Sequence, residues 1–273
     1  MRRTIALTAA AAALALTALT GCKDDGAGTA AATASPTPLS ASATAAPTGA
    51  PTSTNPTSTA PASPVPGAFD PEQALAAKRA PYSAIMSTIS EIAGAESSRM
   101  KGRVNPNAPM TGRMVLRSVD TPGEETAIHM EIVLVEGSAY SRDLTKPGSS
   151  WLKTPRSGQD QADYAKYAAL LLATGPSGRK GMEDIAGTPA YHLSGRLEAE
   201  QIAAIDPQVY RSMKGKVAAF DCDQWIDGQG RTLRFEQRMT LRGRPVVNKI
   251  TFTEFGDPVT IAAPTDDEPV TAS

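Results

Sequence analysis

The chain has 273 residues, 41% hydrophobic and 20% charged, with 27 Lys plus Arg against 28 Asp plus Glu. A formal charge of −1 argues against a nucleic-acid binder, which carries a basic excess. Two cysteines exclude a disulfide-dense scaffold, and two histidines, His129 and His192, leave little for a histidine-based metal site.

Met1, Arg2 and Arg3 form a short basic start, and Thr4 to Leu19 is an Ala-rich apolar run without charge. That run is short for a bilayer span, which takes about 20 residues, and it fits the h-region of a secretory signal. The segment ends Leu19-Thr20-Gly21-Cys22, which resembles a bacterial lipobox. The resemblance implies a diacylglyceryl group on the Cys22 sulfur and removal of residues 1–21. A thiolate is the nucleophile such a modification needs. Two acyl chains, at ~0.8 kcal/mol per buried methylene, hold a protein stably where one chain holds it only reversibly. The expected location is the extracytoplasmic face of the cell membrane, with the membrane as first partner through lipidated Cys22.

Residues 22–69 read as a tether. From 23 to 69, 40 of 47 residues are Ala, Thr, Pro, Ser or Gly, and Phe69 is the lone aromatic. Such a stretch buries too little apolar surface to offset chain ordering. As a coil it would reach about 40 Å. The composition suits a bare spacer or an O-glycosylated stalk.

Residues 70–264 read as one domain with a single core, and 265–273 as a polar tail. Asp70, Pro71 and Gln73 signal a helix start. Beyond Pro81, the spacing of Tyr82, Ile85, Met86, Ile89 and Ile92 predicts a further helix that Gly94 would stop. Helices are also expected over about 160–173 and 197–205, with one more turn over 207–213. Elsewhere the pattern has period two. Met114 and Leu116 share a face. So do Ile128, Met130, Ile132 and Leu134, opposite His129 and Glu131. Leu233, Phe235, Met239 and Leu241 share another, and Ile250 and Phe252 lie opposite Lys249 and Thr251. Hairpin turns are expected at Asp227-Gly228-Gln229-Gly230 and Arg242-Gly243-Arg244-Pro245. The expected fold is α+β: a curved one-sided antiparallel sheet, a half-barrel, wrapped over a few helices.

An apolar sheet face must be covered, and the chain offers few large side chains to do it, with aromatics at 5%. Methionine is comparatively frequent and suits irregular, adaptable apolar space. Periodicity alone favours an ordinary packed core, because a cavity leaves no trace in it. Three patches shift the weight away from a packed core: Gly187-Thr188-Pro189-Ala190-Tyr191-His192-Leu193-Ser194-Gly195, Asp223-Gln224-Trp225-Ile226-Asp227-Gly228 with Arg231 to Phe235, and Phe252 to Pro264. With the Leu19–Cys22 motif and the tether, their order resembles the actinobacterial LppX/LprG-type lipoprotein family, which has a LolA-like fold. The resemblance covers about 95–264. It implies an apolar cavity for lipid or lipoglycan acyl chains. From facing, the candidate lining residues are Met86, Ile89, Met114, Leu116, Met130, Ile132, Leu134 and Leu171. The alternative is a non-enzymatic sensor or scaffold of the envelope with a packed core, like RseB.

No catalytic, metal or cofactor motif stands out. Ser98-Arg99-Met100-Lys101 and Ser150-Trp151-Leu152-Lys153 match Ser-x-x-Lys but lack its partner motifs and fall on expected strands or turns. Asp221 and Asp223 read as a solvated strand edge, His129 as a surface residue, His192 as structural and Cys222 as a small buried hydrophobe. The expected state is a monomer with a lipid ligand and no nucleic acid.

Overall fold

The computed structural model describes residues 67–107, 109–118, 128–156 and 162–265. The signal segment, Cys22, most of the tether and nearly all of the tail lie outside the described residues. Among the described residues no helix is long and apolar enough to cross a membrane.

Eleven antiparallel strands form one sheet. They are β1 (Ser83–Ile92), β2 (Ala95–Asn105), β3 (Thr111–Ser118), β4 (His129–Val135), β5 (Ser138–Asp143), β6 (Leu152–Pro155), β7 (Arg179–Ile185), β8 (Thr188–Glu198), β9 (Ala219–Ile226), β10 (Thr232–Leu241) and β11 (Arg244–Gly256). The order is β6-β5-β4-β3-β2-β1-β11-β10-β9-β8-β7. Two meanders therefore meet at the β1–β11 pair, and the sheet stays open. Its edges are blunted by a four-residue β6 and by a β7 carrying Arg179, Lys180, Glu183 and Asp184.

Four short helices interrupt the meanders: α1 (Pro71–Ala76), α2 (Tyr164–Ala173), α3 (Ala199–Ala203) and α4 (Pro207–Met213). Local chemistry sets their starts. Asp70 caps α1 through Glu72 and Gln73 N–H, Asp163 caps α2 through Lys166 N–H, and Asp206 caps α4 through Val209 N–H. Pro71 and Pro207 open their helices, where a missing N–H costs nothing. Phe69, at the end of the tether by sequence, packs its ring 6.4 Å from that of Tyr191.

The helix expected after Pro81 is not formed: those residues are the central strand β1. Flanked by β2 and β11, this strand has both edges paired, and its outer-face residues Ile85, Ser87 and Ile89 are half-buried. Apolar residues then occur on both sides, and their mixed spacing imitates a helical period. Its Ser, Thr and Ile content suits a strand. Gly94 closes a hairpin instead of a helix: Ala93 and Gly94 both take positive φ, at 53° and 82°, as a two-residue primed turn requires. Arg242-Gly243 repeats that turn between β10 and β11, as expected.

Curvature is written into β2 and β3. A Cβ on Gly102 would lie 2.0 Å from the Arg113 carbonyl oxygen, and one on Gly112 would lie 2.6 Å from Val104 Cγ1. The two backbones approach there as only glycine permits.

The one-sided reading of the sheet holds in part. Glu131 is 1% exposed although it lies on the outer face of β4. It pairs with Arg113 at 2.9 Å and Arg142 at 2.6 Å, and the Arg142 guanidinium covers Trp151 at 4.4 Å. Leu233 also departs from expectation. A bulge between Thr232 and Arg234 swings it off the face of Phe235 and into a small outer cluster with Ala190 and Trp225.

Candidate functional site

Pairing registers arrange the inner face in cross-strand rows. One row reads Phe252, Met86, Gly102, Met114, Ile132, Ser141 across β11, β1, β2, β3, β4 and β5. The next reads Ile250, Thr88, Met100, Leu116, Met130. Six of the proposed lining residues, Met86, Met114, Leu116, Ile132, Leu134 and Leu171, belong to the main buried cluster, and Met130 packs against it half-buried. Ile89 does not belong there. It pairs with Lys249 and Arg99, so it shares the outer face, three strand positions from Met86. The helical spacing that grouped the two residues reverses on a strand.

The inner face has two characters. Below β1–β4 it is aliphatic, with Met86, Met100, Met114 and Met130 on four adjacent strands. Below β9–β11 it is aromatic and hydrogen-bonded to α2. Tyr164 lies edge-on to Phe235 and Phe252 at 5.6 and 5.3 Å, and Tyr167 lies 4.8 Å from Phe235. Gln224 Nε2 donates to the Tyr164 carbonyl and to Thr232 Oγ1, both at 2.8 Å. Gln237 Nε2 donates to the Tyr167 hydroxyl, which in turn donates to Asp206, each at 3.5 Å. Burial raises the Asp206 carboxyl to about 6, against the opposing pull of the Val209 N–H and the Tyr167 hydroxyl. Burial also pushes the Cys222 thiol up to about 12, which keeps it a neutral filler.

Where the two characters meet, the sheet end carries a mouth. A hollow of about 200 Å³ is floored by Tyr164 and Phe252 and walled by Arg79, Tyr82 and Asn107. A second, of about 430 Å³, shares Arg79 and Tyr82 and adds Lys78, Arg231 and Phe255. Tyr82 lies 5.7 Å from Phe255, and the Arg231 guanidinium covers Phe255 at 4.3 Å. Burial raises the Tyr82 hydroxyl above the ordinary tyrosine value, and Arg79 and Arg231 offset part of that rise. None of the eight residues proposed from sequence lines either hollow. Sequence reading missed Arg79 and Tyr82, treating Pro81 only as a helix breaker. The signal available was a basic pair beside Pro and Tyr.

The outer face over β7–β10 carries a chain of charges. His192 stacks on Trp225 at 4.2 Å, with Nδ1 2.7 Å from Glu183 and Nε2 2.8 Å from Asp223. Trp225 Nε1 donates to Glu183 at 2.7 Å, and Arg238 joins Asp223 to Glu236. Asp223 is therefore no solvated edge; it is 6% exposed. Asp221, two residues before it on the same face, is exposed and pairs with Arg196. Among the described residues no group of three His, Cys, Asp or Glu is placed to hold a metal. Ser98 and Lys101 lie on strand β2 three positions apart, which turns them to opposite faces.

No protein-family model matches the chain, and no curated protein matches its sequence. Among solved structures it is similar to LprF from Mycobacterium bovis, at 15% identity and TM-score 0.41 over 71% of this chain and 92% of that one. It is similar to the Mycobacterium tuberculosis lipoprotein LppX at 16% identity and TM-score 0.41, over 70% and 95%. It is similar also to a chain of the Pseudomonas aeruginosa MucA/MucB complex at 15% identity and TM-score 0.32, over 70% and 59%. Likenesses this weak place the chain in none of those families. The fold class rests on the sheet itself, an open antiparallel one of 11 strands with few helices.

Proposed function

We propose that this protein is a lipid-anchored module on the extracytoplasmic face of the cell membrane that binds the acyl chains of a lipid or lipoglycan and performs no chemistry of its own. One observation carries the reading. Phe252 floors the smaller hollow and is also the neighbour of Met86 in the cross-strand row that continues through Gly102 to Met114. A hydrocarbon tail entering at Tyr82 and Phe252 would meet unbranched, polarizable side chains and a glycine gap. Such groups move aside at low cost. Cys22 carries the anchor, and the tether lets the domain move off the bilayer.

A second reading, a sensor or scaffold with a filled interior, draws on the depth at which Met114, Ile132 and Leu134 are buried, each at 1–2% exposure. Native mass spectrometry of the purified full chain, with solvent extraction and lipid analysis, separates the two. Bound lipid, and uptake of a fluorescent fatty acid that a bulky Met114→Trp substitution blocks, is the expected result. A chain that neither retains nor takes up lipid leaves the scaffold reading. Cys22→Ala is expected to move the protein out of the membrane fraction.

A further inference from the structure

The mouth differs in charge from the rest of the chain. The whole sequence is nearly neutral, at −1. The outer hollow is lined by Lys78, Arg79 and Arg231 against Asp257 as its one acidic residue. Arg231 is spoken for: its Nε lies 2.7 Å from Asp227. Arg79 is not. Its Nη1 donates to the Gly230 carbonyl at 2.7 Å, which fixes the guanidinium between the two hollows. Among the described residues it has no carboxylate partner. A half-buried arginine held by a neutral carbonyl keeps its charge and its remaining donors free for an incoming anion. Asp163, in the inner hollow, does not compete, because it caps α2 and pairs with Lys166 at 3.3 Å.

From these placements we infer that the mouth selects lipids with an anionic headgroup, a carboxylate or phosphate held by Arg79 with Lys78 beside it, while the attached chain passes Tyr82 onto Phe252 and Tyr164. This rests on the lipid-binding reading and adds the ligand class to it. The two chambers divide the amphiphile: the outer one is basic, and the inner one has an aromatic floor that continues into the Met86 row. A free anion such as inorganic phosphate shares the headgroup chemistry but has nothing to place on the aromatic floor.

The test is titration of the full chain with cis-parinaric acid and with its methyl ester, at a pH where the acid is ionised. Both probes have the same hydrocarbon chain, and the ester replaces the ionised carboxylate with a neutral group one methyl larger. The acid is expected to bind about tenfold tighter, the effect of one charge-assisted hydrogen bond in a partly desolvated site. Arg79→Gln is expected to remove most of that difference, lowering the affinity for the acid more than that for the ester. Lys78→Gln, at an exposed position, is expected to narrow it without lowering Tm, which keeps the test valid if Arg79→Gln destabilises the fold. Inorganic phosphate is expected to weaken binding of the acid and not of the ester. Equal binding of acid and ester, unchanged by either substitution, overturns the headgroup assignment and leaves the lipid-binding reading standing. If neither probe binds, the lipid-binding reading falls and takes this inference with it. Should phosphate alone raise Tm through Arg79 while neither probe binds, the site belongs to a free anion and the inference is wrong.

Discussion

The two halves of the inner face solve the same burial problem differently. Under β9–β11, Tyr164, Tyr167, Phe235 and Phe252 interlock, and Gln224 and Gln237 tie them to α2. Under β1–β4, methionines and aliphatic residues fill the curve left by Gly102 and Gly112, with few directional contacts. Aromatic pairs and buried hydrogen bonds specify one arrangement, whereas thioether chains accept several. Under the proposed function this is a division of labour: one half fixes the fold and the other yields to a guest.

On that division, the largest penalty belongs to the aromatic half. Phe235→Ala should cost about 4 kcal/mol, the usual range for a buried ring that leaves a cavity. Met114→Ala should fall near the lower end for a large-to-small change, about 2 kcal/mol, because flexible neighbours can close the gap. Urea titrations of both variants measure the difference, and equal costs would break the comparison. Glu131→Gln comes next. The methionine half is braced from outside, where Glu131 sits between Arg113 and Arg142. Removing the charge from a buried pair costs on the order of 3 kcal/mol. If the variant unfolds no more easily than the parent, the outer face is not what holds the loose half in shape.

Much of the inner face could be read in the sequence, and the failures have physical causes. Period two placed Met114, Leu116, Met130, Ile132 and Leu134 on one face, because a sheet with a buried side must alternate. Helical spacing read over 82–92 misplaced Ile89, since this central strand carries apolar residues on both faces and loses its alternation. Leu233 changed sides through a one-residue bulge, which no pattern announces. The outer charge chain was invisible because Glu183, His192 and Asp223 come from three strands, and only pairing brings them together. Arg79 and Tyr82 were missed for the same reason: the mouth exists only once 77–82 is laid against the β9–β10 turn and β11.

A pH series probes the clamp at the α2 side. The folded Asp206 carboxyl titrates near 6, above its ordinary value of 3.8. Between those values the folded chain binds a proton that the unfolded chain has released, so this group's contribution to stability is present at low pH and lost as pH rises through about 6. The loss is on the order of 2 kcal/mol after allowance for relaxation around the buried group. Asp206→Asn keeps an acceptor for the Val209 N–H and carries no charge to bury. Its Tm should exceed the parent's above neutrality and match it near pH 4, and an equal gain at both pH values would remove Asp206 as the cause.

The smallest expected effect is the most selective test. Met114→Leu conserves volume and should change stability by less than about 1.5 kcal/mol, as such swaps do. Its consequence should appear in uptake instead. A branched Cδ pair beside Gly102 cannot fold away as a thioether does, so a fluorescent fatty acid should bind more weakly while the urea midpoint barely moves. Phe235→Leu should do the reverse, costing stability and sparing uptake. If the two substitutions affect both readouts in the same proportion, the inner face is a single packed core and the distinction between its halves has no functional content.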